Sequence, residues 1–118
     1  MRCLLVDDSA HFLQAARALL EREGLVVDIA STGTEALQHA AAFQPDVVLV
    51  DVRLGDESGF DLARRLDERQ FGPRIILVSS HAEEDFDELI AESPALGFLA
   101  KSSLSAKAIH ELLGDGVG

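Results

Sequence analysis

The chain has 118 residues, 47% of them hydrophobic and 26% charged, and this composition predicts one compact soluble domain over residues 1–118. Twenty-one acidic residues against ten Lys and Arg give a formal net charge of -11, which argues against direct binding of nucleic acid or of an anionic membrane surface. The single cysteine, Cys3, excludes an internal disulfide. No apolar run reaches the roughly 20 residues of a membrane span, so the cytoplasm is the expected location.

Five short apolar segments predict the strands of one sheet. In chain order they are residues 3–6, 25–30, 47–50, 75–78 and 96–100. The first, third and fourth are continuous runs rich in branched residues, which is typical of central parallel strands covered on both faces. The second segment is more mixed and the fifth is shorter, so both are expected at the edges of the sheet.

Between and after these strands the apolar residues recur at helical spacing, which predicts five helices that cover the sheet. Their apolar stripes run from Phe12 to Leu20, Ala36 to Ala41, Leu62 to Leu66, Phe86 to Ile90 and Ala108 to Leu113. Strands and helices that alternate with short connections predict an α/β fold, a doubly wound parallel sheet of five strands.

Small polar residues and glycines mark the ends of these helices. The predicted starts are Ser9, Ser105 and two pairs with capping-box spacing, Thr32 with Glu35 and Ser58 with Asp61. Gly24 and Gly114 stand where a helix needs a left-handed residue to end.

Polar side chains follow the predicted strands at one edge of the sheet. Asp7 and Asp8 follow the first strand, Asp51 the third, Ser79 the fourth and Lys101 the fifth. In a doubly wound sheet the ligand site lies beyond the carboxyl ends of the strands, so these side chains are expected to converge. Three close carboxylates repel one another unless a cation intervenes, and such oxygen ligands suit Mg²⁺. A lysine and a serine can bind phosphoryl oxygens, and the set therefore predicts phosphoryl transfer.

The direction of that transfer follows from which motifs the sequence lacks. It has neither the G-x-x-x-x-G-K-[ST] loop nor the G-x-G-x-x-G turn, so ATP, GTP and NAD are poor candidates for its ligand. An aspartate can accept a phosphoryl group covalently while Mg²⁺ neutralises the incoming charge. Asp51, which follows the most apolar central strand, is the predicted nucleophile.

These residues resemble the receiver domain of two-component response regulators, and the resemblance covers essentially the whole chain. It rests on Asp7-Asp8, on Asp51 and residues 52–59, which are similar to the family's D-x-x-M-P-x-x-x-G, and on Ser79 and Lys101 in that order. The resemblance implies a flavodoxin-like (βα)5 fold with strand order 2-1-3-4-5. It also implies that Asp51 accepts a phosphoryl group from the phosphohistidine of a sensor histidine kinase or phosphotransfer protein.

The resemblance further implies the ligands of the metal ion. Asp8, Asp51 and the main-chain carbonyl of Arg53 are expected to bind Mg²⁺ directly, and Asp7 is expected to assist through water. The family's proline after the acceptor is replaced by Gly55.

The same resemblance assigns roles near the phosphoryl group. Ser79 and Lys101 are expected to hold its oxygens, although Ser80 is a second candidate hydroxyl. Phe98 occupies the family's aromatic switch position, which is linked to movement of Ser79. Ser102 replaces the proline that usually follows the lysine, so the conformation of the peptide bond between Lys101 and Ser102 stays open.

Two bulky residues, Arg53 and His81, stand where the family tunes access of the attacking water. Their size predicts slow loss of the phosphoryl group.

The receiver itself is expected to catalyse its own modification rather than to act as an enzyme on other molecules.

The resemblance implies signalling through the face of the fourth helix, fifth strand and fifth helix. The partner is then a downstream protein target or a fused output domain, and a phosphorylation-dependent dimer also stays open.

The glycine-rich residues 114–118 fit either a stand-alone receiver or one taken from a longer regulator. Residues 81–94 carry six acidic side chains and no Lys or Arg, which indicates a solvated face or an acidic surface for a basic partner.

Two other functions are alternatives to this one. A small phosphatase or hydrolase that forms an aspartyl phosphate commonly has a second aspartate two residues after the nucleophile, where this chain has Arg53. A degenerate receiver that serves as an unphosphorylated scaffold is disfavoured by intact Asp7, Asp8, Asp51 and Lys101.

Overall fold

The computed structural model describes residues 1–68, 72–81 and 83–114. Within these ranges the main sheet contains β1 (Arg2–Val6), β2 (Val26–Ala30), β3 (Val47–Asp51), β4 (Arg74–Ser79) and β5 (Gly97–Ala100). The α-helices of the same ranges are α1 (Ala10–Arg22), α2 (Gly33–Phe43), α3 (Gly59–Asp67), α4 (Asp87–Glu92) and α5 (Ala106–Leu113). A short hairpin pairs Arg53–Leu54 with Glu57–Ser58, and 3-10 turns lie at Glu83–Phe86 and Lys101–Ser103. The tail at 115–118 lies outside the described residues.

All five strands are parallel and their order is β2-β1-β3-β4-β5. This confirms the predicted order, with the mixed β2 and the short β5 at the two edges. In the register of the sheet, Val50 of β3 lies beside Val6 of β1 and Leu77 of β4. Asp7 and Asp51, each one residue further along, therefore lie at the same end of neighbouring strands.

Successive residues of the central strands pack into two separate cores, one on each face of the sheet. Leu5 and Leu49 pack with α1 and α5, whereas Leu4 and Val48 pack with α2 and α3. This alternation, together with complete burial of β3, confirms the doubly wound arrangement. Cys3 belongs to the first core, and burial raises the pKa of its thiol to about 12, so it behaves as a small hydrophobe.

Three of the predicted N-caps form as expected. The side-chain oxygens of Ser9, Thr32 and Ser105 each accept a hydrogen bond from the backbone N–H three residues later. Gly24 and Gly114 take positive φ angles of 97° and 77° after α1 and α5, as their positions predicted.

Neither of the two predicted capping boxes forms in full. Thr32 caps α2, but Glu35 accepts its hydrogen bonds from the backbone and hydroxyl of Ser31 rather than from Thr32. The box at Ser58 and Asp61 is wrong, because Ser58 makes no capping bond with its side chain. Asp61 pairs instead with an arginine one turn further along α3, at 2.6 Å.

The fourth helix differs most from its prediction. Only Asp87–Glu92 is α-helical, because the backbone leaves the helical region at Phe86, where φ is -128°. The 3.6-residue period therefore does not continue from Phe86 to Leu89, and Leu89 is 45% exposed rather than part of the core. Phe86 and Ile90 do pack against the core on the α2 and α3 face. No helix among the described residues is long and apolar enough to cross a membrane.

Candidate functional site

Three carboxylates meet at the carboxyl ends of β1 and β3. Asp7 is 1% exposed and Asp51 is 6% exposed, whereas Asp8 lies on the surface. One carboxylate oxygen from each residue lies within 4.8 Å of the others. The structure thus brings together the acidic residues that the sequence predicted for one edge of the sheet.

Backbone hydrogen bonds orient the two buried carboxylates. Asp7 accepts a hydrogen bond from the backbone N–H of Ser9 at 2.8 Å, which also begins α1. Asp51 accepts one from the backbone N–H of Arg53 at 3.3 Å. These bonds fix one oxygen of each carboxylate and leave the other to face the centre of the site.

Lys101 follows β5 and reaches both buried carboxylates. Its Nζ lies 2.5 Å from Asp7 Oδ2 and 3.3 Å from Asp51 Oδ2, and its side chain is 20% exposed. The ammonium also lies 4.5 Å from the centroid of the Phe12 ring, a cation–π contact that the sequence did not reveal. Phe12 was expected to pack in the core. Its ring does pack against the core on the α1 and α5 face, and it also contacts the Lys101 ammonium.

The electrostatics of the site favour an added positive charge. Burial, and then the charge of Asp7, raise the pKa of Asp51 above its ordinary value, although the Arg53 N–H and Lys101 act in the opposite direction. Burial alone lowers the pKa of Lys101, but its contacts with Asp7 and Asp51 outweigh burial and raise that pKa. The protein therefore compensates its buried carboxylates only in part.

The donor set fits a divalent cation. When ionised, three carboxylates and one ammonium leave two uncompensated negative charges, which a divalent ion would balance. Asp7 Oδ2 is buried and, although it contacts the ammonium, it accepts no well-aligned hydrogen bond from any described residue. A carboxylate oxygen in that position is a suitable direct or water-mediated ligand for Mg²⁺.

Ser79 ends β4, which lies between β3 and β5 in the sheet. Its side chain is 1% exposed, and its Oγ accepts a hydrogen bond from the backbone N–H of His81 at 3.0 Å. The neighbouring Ser80 is exposed. Ser79 is thus the serine whose hydroxyl is held at the edge of the sheet, next to the strands that end in Asp51 and Ala100.

Aromatic rings connect the region of Phe98 with the region of Ser79. The ring of Phe86 lies 6.5 Å from that of Phe98 and 6.3 Å from that of His81. The backbone of His81 in turn donates to Ser79. Phe86 is therefore a further residue near the expected switch, and the sequence showed it only as part of a helical stripe.

The loop after Asp51 explains two positions of the sequence pattern. Gly55 has a φ of +60°, a conformation that proline cannot adopt, so the turn of the hairpin differs from one built on proline. A Cβ on Gly59 would lie 2.0 Å from the carbonyl oxygen of Asp51, so only glycine fits there. No cis peptide bond occurs in the described ranges, and the bond between Lys101 and Ser102 is trans.

A model of the response regulator receiver domain family matches residues 3–113, and the chain belongs to this family. It is 30% identical over 98 residues to the chemotaxis protein CheY of Halobacterium salinarum, an alignment covering 83% of this chain and 82% of that protein. It is 34% identical over 119 residues to a protein-glutamate methylesterase/protein-glutamine glutaminase of Myxococcus xanthus, covering 98% of this chain. The chain spans only 34% of that longer relative's length.

A solved structure with similar architecture carries a modified aspartate. The chain superposes with a TM-score of 0.83 and 29% identity on a response regulator from Burkholderia pseudomallei with a phosphorylated aspartic acid, a calcium ion and citrate. The alignment covers 94% of this chain and 65% of that one. Receiver domains of two-component systems are signalling switches, for which Mg²⁺ binding and phosphorylation are typical.

Proposed function

We propose that residues 1–118 form a receiver domain in which Asp51 accepts a phosphoryl group from the phosphohistidine of a sensor histidine kinase or phosphotransfer protein. The observation that carries this proposal is the position of Asp51, which is buried at the end of a central strand beside a second carboxylate and lies 3.3 Å from a lysine ammonium that contacts both. An Asp51 oxygen forms the new O–P bond as the N–P bond of the donor breaks. The electron pair of that bond returns to the donor's imidazole.

The residues of the site have separate roles in this step. Asp8, Asp51 and the main-chain carbonyl of Arg53 would hold Mg²⁺, with Asp7 acting through water, and the ion would neutralise charge on the phosphoryl oxygens. Lys101 Nζ, 3.3 Å from Asp51, binds one phosphoryl oxygen as a point charge. Ser79 binds another by donating its hydroxyl hydrogen, since in the bond from His81 its Oγ acts only as the acceptor.

The response travels from Ser79 to the face of α4, β5 and α5. When Ser79 turns toward the phosphoryl group, its bond to the His81 backbone is lost and the ring packing of His81, Phe86 and Phe98 changes. That face then binds a downstream protein target or a fused output domain in the cytoplasm, or a second copy of the chain. Its acidic side chains on α4, including Asp87 and Glu88, are exposed and favour a basic partner surface.

The alternatives gain no support from the site. A phosphatase that forms an aspartyl phosphate commonly uses a second acid two residues after the nucleophile, but that position is Arg53. A scaffold that is never phosphorylated has no need for a lysine paired with two buried carboxylates. The chain therefore acts as a switch that catalyses its own phosphorylation and dephosphorylation.

Amide NMR spectra test this proposal. Beryllofluoride with Mg²⁺ mimics a phosphoryl group on a carboxylate, and it should shift the signals of His81 and Phe98. The signal of Glu21, at the far end of α1, should stay in place as an internal control. If the spectrum does not change, or if Asp51→Asn responds as the wild type does, the proposal is wrong.

A further inference from the structure

We infer that Glu57 is a positioning residue for the Mg²⁺ site, because it fastens the loop after Asp51 to the first turn of α2. The backbone N–H of Gly33 donates to Glu57 Oε2 at 2.9 Å and to Oε1 at 3.3 Å. The contact joins residues 24 positions apart. This inference rests on the proposed function, since the Mg²⁺ site is part of it.

The bond satisfies a donor that α2 cannot satisfy by itself. The first N–H groups of a helix have no partner within the helix, and Thr32 Oγ1 accepts from the N–H of Glu35 rather than from that of Gly33. Gly33 is buried, so its N–H needs another acceptor, which the Glu57 carboxylate provides. A negative charge at this end of a helix is also favoured by the helix dipole.

The close approach depends on glycine at position 33. A Cβ there would lie 2.5 Å from Glu57 Oε2, a separation that real Cβ atoms essentially never show. The φ angle of Gly33 is not positive, so its role is to leave space for Glu57 rather than to adopt a left-handed conformation. An alanine at position 33 would therefore displace the Glu57 carboxylate.

The Glu57 contact acts on the part of the loop that carries a proposed metal ligand. In the hairpin, Glu57 pairs with Leu54, and Ser58 pairs with Arg53. Leu54 is buried and Gly59 is fixed by its N–H bond to the carbonyl of Val52, so Glu57 adds a third point of attachment. The main-chain carbonyl of Arg53 is thus held in place before the ion binds, and such preorganisation raises affinity.

The test measures Mg²⁺ affinity by isothermal titration calorimetry and exchange of the Gly33 amide by NMR without metal. Glu57→Asp keeps the charge and shortens the side chain, Glu57→Gln keeps the length and removes the charge, and Gly33→Ala acts from the other side of the contact. Asp56→Asn is the matched control, since Asp56 is exposed, adjacent, and without a hydrogen bond or ion pair to any described residue. Thermal melts establish that each variant folds.

We expect Glu57→Asp and Gly33→Ala to speed exchange of the residue-33 amide and to raise the Mg²⁺ dissociation constant about 10-fold, near the lower limit for residues that support metal ligands. Glu57→Gln should slow exchange relative to Glu57→Asp and should change affinity no more than Asp56→Asn does. The combined Glu57→Asp and Gly33→Ala variant should be no weaker than either alone, because both remove the same contact.

Three outcomes would overturn the inference, and the third would overturn the proposed function as well. If the wild type binds Mg²⁺ and both Glu57→Asp and Gly33→Ala bind it equally well, Glu57 has no positioning role although the proposed function stands. If Glu57→Gln and Asp56→Asn bind Mg²⁺ more weakly but Glu57→Asp does not, the conclusion is the same, because net charge alone then sets the affinity. If the wild type binds no Mg²⁺, the proposed function itself fails and the inference fails with it.

Discussion

Lys101 lies closer to Asp7 than to Asp51, with Nζ–Oδ2 distances of 2.5 Å and 3.3 Å. The lysine is therefore anchored by the carboxylate that is not the proposed acceptor. Its longer contact leaves Asp51 less tightly paired than its neighbour. This difference suits a lysine that has to turn toward a phosphoryl oxygen while the acceptor reacts.

Asp51→Asn should increase the free energy of unfolding of the metal-free protein at pH 7. Burial and the charge of Asp7 raise the pKa of Asp51 in the folded state. Ionisation of this carboxyl therefore costs more free energy in the folded protein than in the unfolded chain. A carboxylate with a raised pKa lowers stability as pH rises through the ordinary value of 3.8 and beyond. Urea unfolding at pH 7 and below pH 3.8 measures the difference, which should vanish at the lower pH. A variant that is less stable than the wild type at pH 7 contradicts the account.

Mg²⁺ should stabilise the wild type but not Asp51→Asn. An ion that binds only the folded protein at ten times its dissociation constant adds about 1.4 kcal/mol to the free energy of unfolding. The variant loses a direct ligand and the charge that the ion balances, so its gain should be much smaller. Chemical denaturation with MgCl₂, compared with NaCl at equal ionic strength, measures this effect. Equal stabilisation of the two proteins would place the ion elsewhere.

Phe12→Leu should lower stability by about 0.5–1 kcal/mol and slow phosphorylation by a small-molecule donor, because the ring that faces the Lys101 ammonium is lost. Phe43→Leu is the control, since the guanidinium of Arg2 lies 4.3 Å from the Phe43 ring and away from the proposed site. Its loss of stability should be similar, but its phosphorylation rate should match that of the wild type. If the two variants have equal rates, Phe12 does not position the lysine.

Ser79→Ala should cost about 0.5–1.5 kcal/mol, since the partly buried hydrogen bond from the backbone N–H of His81 to Ser79 Oγ is lost. It should also slow phosphorylation, because a donor to the phosphoryl group is removed. Ser80→Ala provides the comparison, and this exposed residue should change stability by less than about 0.5 kcal/mol. Urea unfolding and initial phosphorylation rates measure both effects. A slower reaction in Ser80→Ala alone would assign the hydroxyl role to Ser80.

The central and edge strands and the convergence of the acidic residues could be predicted from short-range patterns, whereas the full strand order was implied by the resemblance to receiver domains. Continuous apolar runs predicted the central strands. Asp7 and Asp51 come directly after two of these runs, so both were expected at the same edge of the sheet. The end of the helical period at Phe86 could not be predicted, because it depends on a single backbone angle.

The contacts that the sequence concealed are long-range ones. Phe12 lies 89 positions before Lys101, and no local pattern distinguishes a phenylalanine under an ammonium from one in a core. Glu57 is one of several acidic residues in its loop, and its bond to Gly33 depends on how α2 and the hairpin meet. The failed cap at Ser58 shows the same limit, since suitable spacing does not ensure that the bond forms.

The proposed function requires Asp51 to accept a phosphoryl group when Mg²⁺ is present. Intact-mass and peptide mass spectrometry after incubation with acetyl phosphate and Mg²⁺ test it most directly. We predict a gain of one phosphoryl group on Asp51, which is absent with a metal chelator and in Asp51→Asn. If the wild-type protein stays unmodified, or if the phosphoryl group is found at another residue, the proposed function is wrong.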